Sequence, residues 1–464
     1  MSSELAMLPA VELLKSYKQK KLSPVDVTKA ALAQIERHNE KLNAFCFVDE
    51  TAALASARES EQRWQRGEPK GLTDGVPASV KDLIIAKGWA TLRGSKAVDR
   101  NQPWNEDAPS VARLRDNGAL LLGKTTTPEF GWKGVTDSPL TGVTRNPWNP
   151  ETTPGGSSGG AAVAAATGMG ALHIGTDGGG SIRIPAAFTG IFGIKQSFGR
   201  VPAHPLSPFG TLAHVGPMTR TVADGALMLT VLSQPDDRDW YALPADGANY
   251  LEKLDAGVKG LRIAYAPTIA GAKVDAEVAA LVASAAKRFT ELGAKVEEVE
   301  TGLPDSAHCF AQHWFPGAAN ALRAYTPEQR KLMDPGLIDI AEQGARLSLM
   351  DYLAAVKERE ALGVAMNLLH RKWDLLLTPT IPIPAFTAGV EVPPGSGQTR
   401  WPDWTPFTYP FNLTRQPAAT VPCGLTKAGL PVGLQIIGPM YADAKVLQAA
   451  RAYESVAPFK MPAP

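Results

Sequence analysis

Three observations predict that the chain adopts an α/β fold. Residues 261–265 are typical of a buried strand, residues 275–292 of an amphipathic helix that ends at Gly293, and residues 296–299 of a second strand. Apolar residues make up 44% of the 464 residues, which is enough for a large core. Neither an internal repeat nor a low-complexity linker divides the sequence. We therefore expect one continuous α/β domain over residues 1–464.

Local patterns along the chain predict the individual elements. The N-terminal segment, residues 1–70, is predicted to be helical, with one helix beginning at Ser23-Pro24-Val25-Asp26, where a capping serine precedes a proline and an acid. A turn at Gly75 feeds a short strand that reaches Lys81. Further strands are predicted at 119–123, 172–174, 375–377 and 433–438, and further helices at 111–114, 161–166 and 444–454.

Charge and cysteine content exclude several classes of protein. Lysine and arginine number 47 against 46 acidic residues, so the net charge of +1 gives no electrostatic basis for binding nucleic acid or a membrane surface. The three cysteines, Cys46, Cys309 and Cys423, are too few and too scattered for a disulfide framework or a cysteine zinc site, and they fit a cytoplasmic location.

Targeting and cofactor motifs give no positive signal either. No signal-peptide pattern opens the sequence, and no stretch reaches the roughly 18 apolar residues that a membrane helix needs. The sequence also has neither an H-E-x-x-H motif nor a P-loop, so we expect no metal and no cofactor.

The first glycine-rich motif is Gly155-Gly156-Ser157-Ser158-Gly159-Gly160. A tight turn before a helix would explain it, because glycine allows sharp backbone bends. A phosphate cradle would need a following Lys-Ser or Lys-Thr, which is absent. A nucleophile elbow would need a later acid and histidine, because residues 155–159 also match G-x-S-x-G.

The second motif places Gly178, Gly179 and Gly180 directly before Ser181. Successive backbone N–H groups around a serine hydroxyl would form the donor nest that a developing oxyanion needs. The alternative is a glycine turn that ends a strand. That alternative explains the bend but not the serine, the arginine and the proline that follow.

A single lysine, Lys81, completes the set of candidate groups. It lies in an apolar run, between Val80 and residues 83–85, so it is either a surface lysine on a strand or a buried one. Burial would lower its pKa and make it a base. Since none of the seven histidines lies in a recognisable catalytic motif, a serine hydrolase built on this sequence would use lysine in place of histidine.

Taken together, these motifs resemble the amidase signature family. The likeness covers nearly the whole chain and rests on Gly75-Val76-Pro77, Val80-Lys81-Asp82, the 155–160 motif, Gly175-x-Asp177-x-Gly179-Gly180-Ser181-Ile182-Arg183-x-Pro185, Gly190-x-x-Gly193-x-Lys195, Asn412-Leu413-Thr414 and residues 429–435. The resemblance implies a single α/β/α domain around a large mixed β-sheet flanked by helices. Residues 71–220 would form its catalytic core, and residues 300–420 a variable substrate-pocket region.

The same resemblance implies a Ser-Ser-Lys triad that hydrolyses a carboxylic amide C–N bond through an acyl-enzyme. Ser181 would be the nucleophile and Lys81 the base, and Ser157, expected after a cis peptide, would relay the proton between them. Backbone N–H groups of Gly178, Gly179 and Gly180 would hold the oxyanion. Three further residues would position these groups: Ser158, Asp177 and Arg183.

The substrate is expected to be a small apolar or aryl amide. Aromatic residues in and near the variable region would line the pocket, although at least half are expected in the core: Trp132, Phe310, Trp314, Phe315, Trp401, Trp404, Phe407, Tyr409 and Phe411. The alternative function is that of a glutamine-hydrolysing amidotransferase component, but residues 300–350 lack the Tyr-Asp-Gly-Val-Arg-Tyr-Gly-like stretch of those chains. A homodimer is left open by the sequence.

Overall fold

Thirteen strands lie within residues 2–462, the part of the chain that the computed structural model describes. They are β1 (Phe45–Val48), β2 (Pro77–Lys81), β3 (Leu120–Thr125), β4 (Asp137–Ser138), β5 (Gly142–Val143), β6 (Leu172–Asp177), β7 (Phe192–Lys195), β8 (His214–Thr219), β9 (Arg262–Tyr265), β10 (Lys295–Glu298), β11 (Leu375–Pro379), β12 (Ala418–Leu425) and β13 (Pro431–Ile437). Eleven of these form one sheet in the order β1-β3-β2-β6-β8-β7-β12-β13-β11-β9-β10, and β4 and β5 form a separate hairpin.

Helices connect the strands and cover both faces of the large sheet. They are α1 (Ser2–Ala6), α2 (Ala10–Lys18), α3 (Pro24–Leu42), α4 (Glu50–Arg66), α5 (Pro109–Asp116), α6 (Gly159–Ala166), α7 (Arg183–Thr189), α8 (Val222–Leu232), α9 (Ala276–Glu291), α10 (Ala307–Leu322), α11 (Pro327–Arg330), α12 (Pro335–Ala345), α13 (Leu349–Lys372), α14 (Pro410–Leu413) and α15 (Asp443–Val456). As the sequence predicted, Ser23 caps α3 by accepting a hydrogen bond from the Val25 N–H.

The sheet is mixed in strand direction. β2 pairs in parallel with both β3 and β6, and β9 pairs in parallel with β10 and β11. The remaining pairs are antiparallel, including the β7–β12 pair that joins the first half of the sheet to the second. This arrangement confirms the predicted α/β fold with a large mixed sheet flanked by helices.

The two faces of the sheet carry separate apolar clusters. On β11, Leu375 and Leu377 pack in one cluster with α8, α9 and α15, whereas Leu376 packs in the other with α10 and α12. Side chains alternate across a strand, so a continuous apolar run such as 375–377 is the pattern of a strand that is buried on both faces. The core is therefore a pair of layers, one on each side of the sheet.

The N-terminal segment differs from its prediction. The segment 1–70, predicted to be helical, also contains the edge strand β1, which pairs antiparallel with β3. This strand is only four residues long, and two of them are exposed, so it has little apolar periodicity to detect.

Across residues 2–462, no helix is both long enough and apolar enough to span a bilayer.

Candidate active site

Parallel pairing of β2 with β6 brings the first two candidate segments together. Ala78 lies beside Leu172 and Val80 beside Ile174, so both strands run toward the same edge of the sheet. Lys81 ends β2 at that edge, and Asp177 ends β6. Groups at the carboxyl ends of neighbouring parallel strands are a common origin of binding sites in α/β proteins.

The loop before α6 places two serines on Lys81. The amine Nζ lies 2.7 Å from Ser157 Oγ, 2.8 Å from Ser158 Oγ and 2.9 Å from Thr176 Oγ1. Lys81 itself is completely buried. All three hydrogen-bond partners of the amine are therefore uncharged hydroxyl groups.

The directions of these hydrogen bonds can be assigned from the neighbours. The Ser158 hydroxyl donates to the Thr176 carbonyl at 3.1 Å, so it accepts from Lys81. A neutral amine has two N–H donors and one lone pair, so Nζ can donate to Ser158 and Thr176 and accept from Ser157. In that arrangement of a neutral amine the Ser157 hydroxyl donates to the lysine lone pair, whereas a charged amine donates to Ser157 as well.

The electrostatic environment favours the neutral amine. Burial lowers the pKa of Lys81 well below the usual value of lysine, and the charge of Asp177 opposes this shift without reversing it. No carboxylate is among the hydrogen-bond partners of Nζ. The Lys81 amine is therefore surrounded by hydroxyl groups and, in the part of the chain that the structure describes, is not half of an ion pair.

Backbone geometry holds Ser157 and Ser181 near each other. The peptide bond between Gly156 and Ser157 is cis, which confirms the expectation from the resemblance. The Ser158 N–H donates to the Ser181 carbonyl at 3.1 Å, which joins the two serine loops directly. Ser157 and Ser181 both line one cavity.

Ser181 follows β6 and precedes α7, and an ion pair fixes the turn between them. Arg183 Nε lies 3.0 Å from Asp177 Oδ2, and Nη2 lies 3.0 Å from Oδ1, with both side chains fully buried. The same carboxylate accepts from the N–H groups of Gly180 at 2.8 Å and Ile182 at 3.2 Å. Burial alone would raise the pKa of Asp177, but the Arg183 charge and these hydrogen bonds hold it below its usual range.

Arg183 also reaches the C-terminal part of the chain. Its Nη1 donates to Gln435 Oε1 at 2.7 Å and to the Thr408 carbonyl at 3.0 Å, and its Nη2 donates to Asn412 Oδ1 at 2.6 Å. Asn412 Nδ2 in turn donates to Asp177 Oδ1 at 2.9 Å. The turn that carries Ser181 is thus held by residues more than 200 positions away in sequence.

Glycine is required in this turn because aromatic rings pack against it. A Cβ on Gly178 would lie 2.7 Å from the Trp314 ring, and one on Gly179 would lie 2.6 Å from Trp401 and 2.7 Å from Phe310. Gly180 has φ +128°, a conformation that side chains disfavour. The aromatic residues of the variable region therefore support the Ser181 loop directly.

The backbone N–H groups of this loop differ in availability. Gly180 N–H is engaged by Asp177 Oδ1. Among residues 2–462, no hydrogen-bond acceptor is found for the N–H of Gly178 or Gly179, and Gly178 lines the cavity. The Gly178 N–H, at a residue that lines the cavity, therefore has no partner among the described residues, whereas the predicted donor at Gly180 is already engaged.

A cavity of about 390 Å³ opens above Ser157 and Ser181. Its walls are mainly apolar, and the aromatic residues among them are Phe130, Phe198, Phe209, Tyr241 and Trp314. The predicted pocket region, residues 300–420, contributes Trp314, Asn320 and Ala321. The other large aromatics of that region lie mostly in the core, as expected for at least half of them.

The structure also tests whether a histidine could act on a serine and whether Ser157 lies on a nucleophile elbow. Among the cavity walls within residues 2–462, His204 and His214 are the histidines. His214 Nδ1 donates to the Leu212 carbonyl at 2.9 Å, and its Nε2 faces Lys195 Nζ at 3.5 Å, so neither nitrogen faces a serine hydroxyl. Ser157 follows an irregular segment rather than a strand, which does not match a nucleophile elbow.

Sequence patterns located some groups and missed others. The structure brings together Lys81, Ser157 and Ser158, and it pairs Asp177 with Arg183 in a buried ion pair. The patterns missed Thr176 on the lysine, and the roles of Thr408, Asn412 and Gln435. Asn412 and Gln435 fall inside quoted family motifs, but their contacts depend on long-range folding that no local pattern encodes.

Comparisons with known proteins extend over almost the whole chain. A profile of the family described as Amidase matches residues 26–447. The chain is 38% identical over 460 residues to an acylamidase of Rhodococcus erythropolis, covering 97% of this chain and 96% of the relative. It is 37% identical over 484 residues to a glutamyl-tRNA(Gln) amidotransferase subunit of Myxococcus xanthus, with 97% of each chain covered.

A solved structure is similar over the same extent. A bacterial aryl acylamidase of the amidase signature family superposes with a TM-score of 0.91 at 33% identity, covering 97% of this chain and 96% of that one. The chain belongs to the amidase signature family. It is an amide-hydrolysing enzyme, as the sequence predicted.

Proposed function

We propose that this enzyme hydrolyses carboxylic amides with Ser181 as nucleophile, Ser157 as proton relay and Lys81 as base. One observation carries the proposal: the buried Lys81 amine contacts Ser157 Oγ at 2.7 Å and has only hydroxyl partners. A serine hydroxyl is a weak nucleophile near neutral pH and needs a base within hydrogen-bond reach. A neutral lysine acting through the Ser157 hydroxyl would meet that need for Ser181, which lines the same cavity as Ser157.

The proposed reaction begins with proton transfer along this chain of groups. Lys81 Nζ takes the proton of Ser157, Ser157 Oγ takes the proton of Ser181, and Ser181 Oγ attacks the amide carbonyl carbon. Backbone N–H groups of Gly178 and Gly179 stabilise the oxyanion, and Asp177 keeps the loop in place through Gly180. This loop is positioned before substrate binds. The N–H groups of Gly180 and Ile182 are already hydrogen-bonded to Asp177, and aromatic rings already pack against the loop.

The second half of the reaction reverses the proton path. Ser157 donates a proton to the leaving amine as the C–N bond breaks, and Lys81 returns one to Ser157. Water then attacks the acyl carbon while Ser157 and Lys81 take its proton, the C–O bond to Ser181 Oγ breaks, and the same groups return a proton to Ser181 Oγ. The products are a carboxylic acid and an amine.

The cavity supports an apolar or aryl amide as the substrate. Phe130, Phe209 and Trp314 line its walls, and Phe209 and Trp314 stack with ring centroids 3.6 Å apart. Largely apolar walls with a few polar groups are typical of small-molecule sites. The name of the aryl acylamidase structure agrees with an aryl amide, and that of the R. erythropolis relative, acylamidase, agrees with an amide substrate.

A fluorophosphonate probe and three variants test the assignment. We expect the probe to label Ser181 in the wild type and not to label Ser181→Ala, whose hydrolysis of acetanilide falls on the order of 10⁴-fold or more. Lys81→Ala is expected to lose roughly 10²–10⁴-fold in kcat. Ser233→Ala, outside the cavity, serves as a matched control with unchanged labelling. Label on Ser157 instead, or full activity of Ser181→Ala, would disprove the assignment.

A second function is favoured by the M. xanthus relative, which is part of an amidotransferase. Under that alternative the chain would release ammonia from glutamine for a partner chain. The purified chain alone, assayed with acetanilide and with glutamine, separates the two functions. Turnover of acetanilide without a partner supports the stand-alone amidase, and turnover of glutamine only in the presence of a partner supports the amidotransferase component.

A further inference from the structure

The cavity walls contain very few charged groups. In the part of the chain that the structure describes, the lysine, arginine and acidic residues that line the cavity are Arg93 and Asp239 alone. Asp239 is engaged, because its Oδ2 accepts from the Ala203 N–H and its Oδ1 from the Tyr241 N–H, each at 2.8 Å. Arg93 is therefore the one charge on the walls that backbone groups do not already satisfy.

Two other basic residues, Lys124 and Lys133, form ion pairs with carboxylates, whereas Arg93, in the described part of the chain, does not. Lys124 pairs with Asp82 at 3.3 Å, and Lys133 pairs with Asp137 at 2.7 Å and Asp334 at 2.8 Å. No ion pair joins the Arg93 guanidinium to any carboxylate in residues 2–462. Its side chain is partly buried and faces the Tyr325 hydroxyl, which is uncharged near neutral pH.

Arg93 occupies the same wall as the proposed catalytic serines. Its carbonyl accepts from the Phe130 N–H at 2.8 Å, and Phe130 and Gly131 both line the cavity. A Cβ on Gly131 would lie 3.4 Å from Ser157 Oγ, so this wall borders the reacting groups. Asp82 holds the neighbouring Gly94 N–H at 3.4 Å, which fixes the turn that carries Arg93.

We propose that Arg93 makes the enzyme selective for amides that carry a carboxylate in addition to their apolar or aryl part. A guanidinium presents paired N–H donors that match a carboxylate in a bidentate geometry, and this pairing is strongest where apolar walls exclude water. The inference rests on the proposed function, since it names the substrate class of the same site. The carboxylate is carried on either the acyl side or the amine side of the scissile bond.

Two pairs of substrates test both sides. The acyl-side pair is glutaric acid monoanilide and 5-methylhexanoic anilide, in which an isopropyl group replaces the carboxylate. The amine-side pair is 4-acetamidobenzoate and 4-isopropylacetanilide. Within each pair, one substrate carries a planar carboxylate and the other carries an isopropyl group of similar size at the same position. The ratio of their kcat/KM values therefore reports recognition of the charge.

In the wild type we expect kcat/KM to favour the carboxylate member of at least one pair by about tenfold or more. Arg93→Met should abolish that preference while changing kcat/KM for the isopropyl member by less than about threefold. Arg93→Lys should retain part of it, because the charge remains but the paired donors are lost. Lys96→Met, which removes an exposed charge three residues away, is the matched control and should keep the wild-type ratio.

Binding measurements separate failure of this inference from failure of the proposed function. Calorimetric titration of the four anilides into Ser181→Ala needs no turnover, and we expect tighter binding of a carboxylate member that is lost in Ser181→Ala/Arg93→Met. Equal binding of both members of each pair by Ser181→Ala would overturn the role of Arg93, as would an equal loss for both members in Arg93→Met. Absence of anilide turnover alongside selective binding would count against the proposed reaction alone.

Discussion

At Lys81, an amine is surrounded by three hydroxyl groups in a place that water does not reach. Burial lowers its pKa, and Asp177, the acid that opposes this shift, is held in an ion pair with Arg183. The neutral amine is therefore the form that the folded protein favours. Protonation of this group at low pH would remove the lone pair that Ser157 needs.

A pH profile follows from this shift. Since the neutral form is the base, kcat/KM for acetanilide should rise with pH through the lowered pKa of Lys81 and then level off. Lys81→Arg keeps a permanent charge and should be inactive across the whole range. A profile that stays flat over the whole pH range in which the protein remains folded, from acid to alkaline, would count against Lys81 as the base.

Among single residues, those with distinctive local chemistry were predictable. Ser157 and Ser181 stand in glycine-rich motifs and Lys81 stands in an apolar run, and hydroxyl and amine groups in such places have few possible roles. The partners that hold them were not predictable from local patterns, because Thr408, Asn412 and Gln435 reach Arg183 only through the folded sheet. The cavity walls near Phe209 and Tyr241 were missed for the same reason, since they come from irregular loops.

At the scale of elements, the loop between β6 and α7 is shaped by what packs on it. The rings of Trp314, Trp401 and Phe310 fill the space that a Cβ atom at position 178 or 179 would need. The sequence predicted that glycine would expose backbone donors, but it did not reveal that aromatic rings from α10 and from the 401–404 turn would require glycine as well.

Gly179→Ala tests this packing. A Cβ there would lie 2.6 Å from Trp401 and 2.7 Å from Phe310, so the loop or the rings must move, at a cost of about 1–3 kcal/mol. We expect a loss of about 10–100-fold in kcat/KM for acetanilide, because a displaced loop misplaces both nucleophile and donors. Gly363→Ala in α13 has open space around it and should retain full activity. Wild-type activity of Gly179→Ala would show that the packing does not position the loop.

The ion pair between β6 and α7 has a measurable role in stability. Arg183→Ala leaves Asp177 buried without its charge partner, so we expect the free energy of unfolding in urea to fall by about 3–5 kcal/mol. Arg262→Ala removes one partner of a solvent-exposed pair with Asp374 and should cost at most about 1 kcal/mol. Similar losses in the two variants would mean that the buried pair is not a structural clamp.

At the scale of the whole molecule, contacts between distant segments tie the variable middle region to the proposed site. Glu129 Oε2 accepts from the Asp334 N–H at 2.5 Å, and Asp334 also binds Lys133 at 2.8 Å. Burial raises the pKa of Glu129 to about 7. This carboxyl therefore links the wall that carries Phe130 to the start of α12.

The raised pKa predicts how stability depends on pH. A carboxyl whose pKa is higher in the folded state stabilises fully below its unfolded pKa, near 4.5, and this contribution is lost as the pH rises to about 7. Glu129→Gln does not titrate, so its unfolding free energy relative to wild type should increase by up to about 3 kcal/mol between pH 4.5 and pH 7.5. The measurement is urea denaturation at both pH values.

Glu297→Gln is the control for this experiment, since Glu297 is exposed on β10. This variant measures what exchange of an exposed glutamate for glutamine does by itself. A Glu129→Gln difference that does not change with pH would contradict a raised pKa in the folded protein.

The network around Arg183 has a consequence for the order in which the protein can become competent during synthesis. Every group proposed to react, from residue 81 to residue 181, leaves the ribosome well before the residues that hold Arg183. Asn412 and Gln435, whose side-chain oxygens accept from Arg183, follow it by 229 and 252 residues. A nascent chain therefore contains the reacting groups long before it contains these acceptors, and we expect efficient amide cleavage only after residue 435 has been synthesised.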